Sequence, residues 1–254
     1  MTIPSALSLT MEIIAHRGAS HDAPENSLAA IRLGWAQGAD GVEIDVHCSK
    51  DGELVVIHDA TLHKTAGVRR RVAALSVAEL KTFEVGSWKH ARFADERVPT
   101  LAEALATIPR GKRLFVEIKC GPESIPAFAK TFRASGKASS QVVPIGFSIE
   151  TMRGIKQALP ELEVAWVAEF RRTLRGWSPR AETLIEKAKA AGLDALDLDG
   201  RGPLDAKFVG KVHAAGLKLY VWTVDAPARA EKLRAAGIDG VTTNKPGWLR
   251  KQLF

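Results

Sequence analysis

The sequence predicts a (β/α)8 TIM barrel, an α/β fold in which eight parallel strands alternate with helices. Its 254 residues match the length of one such barrel, which takes ~250 residues. Short strand-like runs alternate with amphipathic segments along almost the whole chain, which is typical of βα units around a parallel sheet. Three nearly identical segments join a helix, a glycine and a strand: Ala190–Asp194, Ala214–Lys218 and Ala235–Asp239. An open, doubly wound sheet is the structural alternative.

Eight apolar and β-branched runs predict the barrel strands. These runs are Glu12–Ala19, Gly41–Cys48, Arg113–Cys120, Val142–Ser148, Glu163–Phe170, Ala195–Asp199, Lys218–Asp225 and Gly240–Thr243. The predicted helices are Ser27–Gln37, Leu101–Thr107, Ser124–Ala134, Ile149–Ala158, Ala181–Ala190, Ala206–Ala214, Ala228–Ala235 and Trp248–Leu253. Glycines follow several of these helices, where a left-handed C-cap is needed.

One stretch after the second strand departs from this alternation. Glu53–His58 predicts an extra strand after an Asp51-Gly52 turn, and residues 59–96 then form an insertion with one helical segment, Ser76–Thr82. Loops that follow barrel strands build the catalytic face, so the insertion is a candidate substrate cap. We expect residues 1–254 to form a single domain that carries this insertion.

Composition and charge exclude several classes of protein. The chain is 46% hydrophobic and 26% charged, which is ordinary for a globular protein. Its formal net charge is +7, but the basic residues form only short runs, at Val68–Val72 and Phe170–Arg175, which solvated loops explain. We therefore expect no nucleic-acid partner, and a field that attracts small anionic substrates.

The sequence also predicts the compartment. It has no apolar run near the ~20 residues of a membrane span, so we expect no stable membrane insertion. The segment MTIPSALSLT lacks the early basic residues of a secretory signal. The two cysteines, Cys48 and Cys120, cannot form a disulfide framework, so we expect free thiols and a cytoplasmic location.

Acidic side chains lie two residues apart on the second predicted strand. Glu43 and Asp45 therefore share one face, and Glu117 and Lys119 repeat the spacing on the next barrel strand. Three converging carboxylates suit a hard cation, Mg²⁺ or Ca²⁺, better than zinc. The alternative is a structural ion-pair network formed by Glu117, Lys119 and Arg17.

Two histidines lie at strand ends on the same predicted rim. His16 and His58 are candidates for taking one proton and giving another near neutral pH. The remaining histidines are expected to be structural: His21, His47, His63, His90 and His213. Asp197 and Asp199 repeat the acidic spacing on the sixth barrel strand, where we expect a rim hydrogen bond or a lysine partner rather than a second metal site.

The ordered motifs resemble those of the glycerophosphodiester phosphodiesterase family. They are His16-Arg17, Glu25-Asn26, Glu43-Ile-Asp45, Val55-Val-Ile-His58-Asp59, Pro99–Glu103, Glu117-Ile-Lys119, Phe147-Ser148, Tyr220–Val224 and Asp239–Asn244. Each motif is short, but their order and spacing across nearly the whole chain are specific. The resemblance implies hydrolysis of glycerophosphodiesters to sn-glycerol 3-phosphate and an alcohol, in a barrel that holds a divalent metal.

The resemblance also implies roles for individual residues. It makes Glu43, Asp45 and Glu117 the metal ligands, His16 and His58 the catalytic pair, Arg17 and Lys119 the phosphate-binding residues, and Trp222 the wall beside the glycerol. Glu25 and Asn26 match the acidic-Asn pair of the family as supporting residues. Asn26 is alternatively the N-cap of the helix that begins at Ser27.

Other functions remain open at this point. One alternative is a lysophospholipase D-like or sphingomyelinase D-like phosphodiesterase, and another is a non-catalytic phosphate-binding barrel. Aromatic residues of the insertion are interspersed with basic ones, which favours water-soluble substrates: Phe83, Trp88 and Phe93 against Lys81, Lys89 and Arg92. The segment Lys64–Val68 departs from the Thr-Thr-Asn-Gly-like run of the family, so the alcohol preference stays open, as does the oligomeric state.

Overall fold

The structure, a computed structural model, describes residues 11–174 and 176–254. The segment 1–10, on which the expectation about a secretory signal rests, lies outside the described residues, as does Arg175. The strands are β1 Glu12–Ala15, β2 Gly41–Cys48, β3 Leu54–Val56, β4 Arg113–Ile118, β5 Val142–Gly146, β6 Ala165–Ala168, β7 Arg171–Thr173, β8 Gly176–Ser178, β9 Ala195–Asp199, β10 Lys218–Trp222 and β11 Gly240–Thr243.

The α-helices lie between these strands and after the last one. They are α1 Leu28–Ala36, α2 His63–Ala66, α3 Val77–Leu80, α4 Leu101–Ala106, α5 Ile125–Ser135, α6 Ile149–Ala158, α7 Ala181–Ala190, α8 Ala206–Ala214, α9 Pro227–Ala236 and α10 Pro246–Leu253. Within the described ranges, no helix is both long enough and apolar enough to cross a membrane.

Eight of the strands close into a parallel barrel. Their order around the ring is β1, β2, β4, β5, β6, β9, β10 and β11, and β1 pairs in parallel with both β2 and β11. The predicted (β/α)8 barrel is therefore confirmed, and the alternative of an open sheet is wrong. The extra strand, β3, is shorter than predicted and pairs antiparallel with the end of β2, where Val46 lies opposite Val56.

Capping residues set several of the helix ends. Ser148 and Asp205 accept backbone N–H groups of the first turns of α6 and α8. Gly136 and Gly237 end α5 and α9 with φ angles of 63° and 91°, a left-handed conformation that carries no Cβ penalty in glycine. Capping residues and glycines in the sequence therefore predict these helix boundaries well.

Side-chain alternation divides the barrel interior into an apolar floor and a polar mouth. The floor consists of Ile14, Phe115, Val143, Ile145, Ala165, Val167, Ala195 and Tyr220. Because residues two apart on a strand share a face, Glu117 and Lys119 follow Phe115 toward the carboxyl end of the barrel. By the same rule, Asp197 follows Ala195 on β9.

A half-buried ionic cluster closes the opposite end of the barrel. The Arg113 guanidinium lies 3.1 Å from a Glu12 oxygen and 2.7 Å from Oε1 of Glu163. It also donates to the Tyr220 hydroxyl at 2.9 Å, and that hydroxyl donates to Glu163 at 2.6 Å. These contacts join three barrel strands and a strand-entry loop below the floor.

The insertion has a small core of its own. Its buried side chains are Val55, Ile57, Leu62, Val72, Leu75, Leu80, Val85 and Val98. The prediction of one helical segment is wrong, because the chain forms α2, α3 and 3₁₀ turns at Val72–Ala74 and Ala91–Phe93. Within the predicted segment Ser76–Thr82, a capping box of Ser76 and Glu79 starts α3, which ends at Leu80.

A short hairpin, β7–β8, occupies the basic run that we expected to be a solvated loop. Its described residues are exposed except Trp177, whose ring lies 6.3 Å from that of Phe170. The basic side chains Arg171 and Arg172 are solvated as expected. The two strands were missed because they are only three residues long and lack an alternating apolar pattern.

Candidate active site

The predicted site residues surround one cavity of about 300 Å³ at the carboxyl ends of the barrel strands. Its wall includes His16, Arg17, Glu43, His58, Glu117, Lys119 and Trp222. Asp45 lies beside them with a side chain that is only 1% exposed. Glu25 and Asn26 lie next to this group and contact Arg17 and Asp45, as described below.

The three predicted metal ligands form one cluster. A carboxylate oxygen from each of Glu43, Asp45 and Glu117 lies within 4.8 Å of the other two. The register of the barrel explains this proximity, because Asp45 of β2 lies directly opposite Glu117 of β4. Glu43 is on the same face of β2, two residues earlier.

The electrostatics of this cluster are unbalanced. Burial, together with the neighbouring Asp45 and Glu117, raises the pKa of Glu43 well above its ordinary value. Burial and Asp45 raise the pKa of Glu117 to about 7. Burial also acts to raise the pKa of Asp45, but Lys119 and Arg17 lower it by more, so Asp45 stays ionised. The site therefore holds more carboxyl groups than its cations neutralise.

Part of the ion-pair network that we considered as an alternative is present. Lys119 Nζ lies 2.6 Å from Oε1 of Glu117 and 3.0 Å from Oδ1 of Asp45. Arg17 Nε lies 3.3 Å from Oδ2 of Asp45. These pairs leave out Glu43, whose Oε2 accepts the backbone N–H of Arg17 at 2.8 Å.

One carboxylate oxygen of Glu43 has no partner in this network of ion pairs. Its Oε1 is buried and has no hydrogen-bond partner in the described chain. A buried carboxylate oxygen without a partner is costly. Three carboxylates with an orphaned oxygen suit a hard divalent cation, which takes oxygen ligands and offsets the excess negative charge.

Asn26 does not cap the helix, so that alternative is wrong. The N-cap is Ser27, whose Oγ accepts the backbone N–H of Ala30 at 3.1 Å. Asn26 instead has a left-handed φ of 59°, which asparagine tolerates better than most residues. Its Nδ2 donates to Oδ2 of Asp45 at 2.8 Å, and its Oδ1 accepts the Asp45 backbone N–H at 3.0 Å. Asn26 therefore positions Asp45.

Glu25 links the first loop to the insertion. Its carboxylate accepts from Arg17 Nη1 at 3.0 Å and from Lys64 Nζ at 2.8 Å. Arg17 itself has a left-handed φ of 55°, an uncommon conformation for a residue with a long side chain. Glu25 thus holds the guanidinium beside the carboxylate cluster.

His16 is oriented by a chain of hydrogen bonds. Its Nδ1 lies 2.8 Å from Oδ1 of Asn244, whose Nδ2 donates to Asp225 at 2.7 Å. Because the Asp225 carboxylate only accepts, the Asn244 oxygen faces His16 and the imidazole carries a proton on Nδ1. Burial, followed by the charge of Arg17, lowers the pKa of His16. Its Nε2 lies 4.0 Å from Oε2 of Glu43.

His58 is oriented in a similar way. Its Nδ1 donates to Oδ1 of Asp59 at 2.7 Å, which leaves Nε2 for the cavity. Its carbonyl oxygen lies 2.9 Å from Nε2 of His47, a histidine that we expected to be structural. The other four histidines expected to be structural are all exposed: His21, His63, His90 and His213.

Both cysteines are free, as expected. They lie beside the site, where the backbone N–H of Cys48 donates to Sγ of Cys120 at 2.9 Å. Hydrogen bonds from Cys48 and His47 lower the pKa of Cys120 to about 5.

Comparison with known proteins decides the family. The sequence profile of the glycerophosphoryl diester phosphodiesterase family matches residues 16–248. The chain belongs to this family. Membership confirms the resemblance found in the motifs and the predicted enzyme class, a phosphoric diester hydrolase.

Individual family members cover the chain almost completely. The glycerophosphodiester phosphodiesterase of Caldanaerobacter subterraneus subsp. tengcongensis is 31% identical over 240 residues, which span 92% of this chain and 94% of that protein. A phosphodiesterase of Oleispira antarctica, solved in complex with the product sn-glycerol-3-phosphate, superimposes with a TM-score of 0.86 at 29% identity and covers 95% of this chain and 96% of its own. The glycerophosphodiester phosphodiesterase of Agrobacterium tumefaciens str. C58 gives 0.79 at 26% identity, with 95% and 100% covered.

Several residues of the cavity region were not predicted as site residues. Asn244 ends a motif that we recognised, but its contact with His16 spans 228 residues of sequence. Phe147 packs edge-on against Trp222 with ring centroids 5.9 Å apart. Lys119 Nζ also lies 5.9 Å from the centre of the Phe147 ring, so this ring belongs to the cavity wall.

The expectation for the acidic pair on β9 is half right. Asp199 has a rim partner, Arg201, whose Nε donates to its Oδ2 at 2.8 Å. Asp197 lines the cavity, is only 3% exposed, and its Oδ1 has no hydrogen-bond partner within the described residues. Burial, with Glu117 nearby, raises the pKa of Asp197 well above its ordinary value.

Substitutions at two adjacent positions should separate helix capping from site positioning. Ser27→Ala should lower the free energy of unfolding by ~1 kcal/mol with little change in kcat, because it removes an N-cap. Asn26→Gly keeps the left-handed backbone but removes both hydrogen bonds to Asp45, so it should lower phosphodiesterase activity by ~10- to 100-fold. Urea denaturation and initial rates measure the two effects. Equal kcat for Asn26→Gly and wild type would contradict the positioning role.

Proposed function

We propose that this chain hydrolyses glycerophosphodiesters to sn-glycerol 3-phosphate and an alcohol. The proposal depends on one observation above all: a cluster of three carboxylates, with an unpartnered buried oxygen on Glu43, lies beside two oriented imidazoles. Family membership supports the same activity. The relative from Oleispira antarctica, which binds sn-glycerol-3-phosphate as its product, supports the choice of product.

The proposed reaction needs charge neutralisation at the phosphate. Mg²⁺ or Ca²⁺ bound by Glu43, Asp45 and Glu117 would neutralise negative charge that develops on the phosphate oxygens. Arg17 and Lys119 line the same cavity and present N–H donors of fixed positive charge. We assign them to the non-bridging oxygens of the diester, where they hold the substrate and stabilise the transition state.

The two imidazoles move the protons. Each ring uses Nδ1 to hold its partner and keeps Nε2 for exchange with the substrate. One Nε2 accepts the proton of the attacking oxygen, and the other ring, which must carry a proton on both nitrogens, gives its Nε2 proton to the oxygen of the departing alcohol as the bond from phosphorus to that oxygen breaks. Each transfer contributes on the order of 10² to 10⁴ in rate.

The alternatives fit the cavity less well. Phosphodiesterases that act on acylated lipids need an apolar surface for the chains, but Trp88 has Lys89 Nζ 5.9 Å from its ring and Phe93 has Arg92 at 4.7 Å. A non-catalytic binding barrel does not need two imidazoles with free Nε2 atoms. Water-soluble glycerophosphodiesters are therefore the favoured substrates, and the free thiols support a cytoplasmic enzyme.

Removal of the cation should abolish turnover of glycerophosphocholine, and Mg²⁺ or Ca²⁺ should restore it. Glu117→Gln should weaken binding of the cation in a calorimetric titration more than it changes the free energy of unfolding. Glu161→Gln is a matched control, because Glu161 is exposed and remote from the cavity lining. Full activity after exhaustive dialysis against EDTA would exclude the metal mechanism.

Loss of either imidazole should slow the chemical step. His16→Ala and His58→Ala should each lower kcat by on the order of 10² to 10⁴, with a smaller change in KM. The double variant should lose far less than the product of the two effects, since the residues act in one step. His63→Ala, at an exposed site, serves as the control. A variant at position 16 or 58 that keeps its fold by circular dichroism and its kcat would remove that residue from the mechanism.

Discrimination among alcohols should be weak, because the residues that the structure describes form no aromatic cage for choline, and on this proposal the departing alcohol faces the polar insertion. Glycerophosphocholine, glycerophosphoethanolamine and glycerophosphoglycerol should have kcat/KM values within about tenfold, or ~1.4 kcal/mol of transition-state binding. Trp222→Ala should reduce all three alike, since each presents the same glycerol. Cleavage of only one head group, or preference for lysophosphatidylcholine, would favour the lipase-like alternative.

A further inference from the structure

Two polar groups on one wall of the cavity lack partners in the described chain. They are Oδ1 of Asp197 and the indole Nε1 of Trp222, and both atoms are buried. Both side chains line the same cavity as the carboxylate cluster. Asp197 is on β9 and Trp222 is on the adjacent strand β10.

Position in the ring places these two groups across the cavity from the cation site. In the barrel order, β9 is four strands away from β2 in either direction. Asp197 lies opposite Tyr220 in the β9–β10 register, and Trp222 is two residues further on the same face of β10. If the phosphate of a bound molecule lies beside the carboxylates of β2, the other end of that molecule extends toward Asp197 and Trp222.

The unpartnered carboxyl of Asp197 is costly for folding. Burial of a polar group without a hydrogen bond costs roughly 1–3 kcal/mol by mutational measures, and an apolar residue of similar volume would avoid that cost. Glu169 also lines the cavity, but it is exposed, so water can solvate it. Only Asp197, among the acidic residues opposite β2, combines burial with a missing partner in the part of the chain that the structure describes.

The chemistry of the pair suits adjacent hydroxyl groups. A carboxyl group offers acceptor oxygens and, when it is protonated, one donor, and an indole N–H offers a donor only. Carbon surfaces of Ile145, Phe147 and Val167 line the same side of the cavity and suit the carbon chain of a small polyol. Neither a phosphate nor a choline group would supply both a donor and an acceptor to these atoms.

We propose that Asp197 and the indole N–H of Trp222 bind the free hydroxyls of the glycerol moiety, and that Asp197 determines specificity for it. This inference depends on the proposed function for the identity of the polyol. Asp197 is a substrate-binding residue on this account and takes no part in proton transfer.

Binding of two phosphate monoesters tests the inference without turnover. Isothermal titration with Ca²⁺ present would compare sn-glycerol 3-phosphate with propyl phosphate, which lacks both hydroxyls. Wild type should bind the glycerol ester at least ~30-fold more tightly, because a site built for hydroxyls rejects the analogue that lacks them. Asp197→Leu should reduce this ratio to less than about threefold, and Asp197→Asn, which keeps a donor and an acceptor, should retain most of it.

Two further measurements separate recognition from a structural role. Asp197→Leu should unfold at an equal or higher urea concentration than wild type, because it removes an unpartnered buried carboxyl. Trp222→Phe, which removes Nε1 and keeps the ring face, should lower the ratio by roughly tenfold. Wild type that does not distinguish the two esters, or a folded Asp197→Leu that keeps the full ratio, would overturn the inference.

The outcomes also distinguish this inference from the proposed function. An enzyme that hydrolyses glycerophosphocholine but does not distinguish the two esters would overturn only the role of Asp197. A protein that hydrolyses no glycerophosphodiester, yet binds sn-glycerol 3-phosphate through Asp197, would overturn the proposed function and support polyol recognition.

Discussion

Mutual repulsion among three closely spaced carboxylates, two of them buried, is the constraint on which the rest of the site depends. Glu43, Asp45 and Glu117 lie too close together to be ionised at once without added positive charge. Burial adds to the problem, because water cannot solvate the negative charge of buried carboxylates. Nearby groups offset this repulsion only in part. Lys119 forms ion pairs with Asp45 and Glu117, and Asn26 donates a hydrogen bond to Asp45. A bound cation would supply what remains.

The barrel makes this arrangement possible because buried, largely apolar side chains fill its floor. Large side chains such as Phe115 and Tyr220 fill the interior below the mouth, with ring centroids 5.0 Å apart. The extra strand and the insertion complete the site from outside the ring. His58 follows the extra strand, and Lys64 and Lys89 of the insertion hold the loop after β1 through Glu25 and the Ser20 carbonyl.

Local periodicity predicted the parts of the fold and site that depend on it. Spacing of two along a strand placed Glu43 with Asp45, and the βα alternation gave the closed barrel. Asn26 was predicted as a supporting residue, but its hydrogen bonds to Asp45 and the missing partner of Asp197 among the described residues could not be predicted, because both depend on parts of the chain that are distant in sequence. Asn26 and Ser27 both suit an N-cap, and only tertiary contact with Asp45 decides between them. Whether Asp197 has a partner depends on strands that approach it from elsewhere in the chain.

Anomalous diffraction tests most directly whether a divalent cation completes the carboxylate cluster. Crystals grown with Mn²⁺, a cation that also takes oxygen ligands, should give one strong anomalous peak bounded by an oxygen from each of Glu43, Asp45 and Glu117. We expect Oε1 of Glu43 to be one of these ligands. Absence of any peak at saturating Mn²⁺, with Lys119 still paired to Asp45 and Glu117, would contradict it and leave a structural ion-pair network in its place.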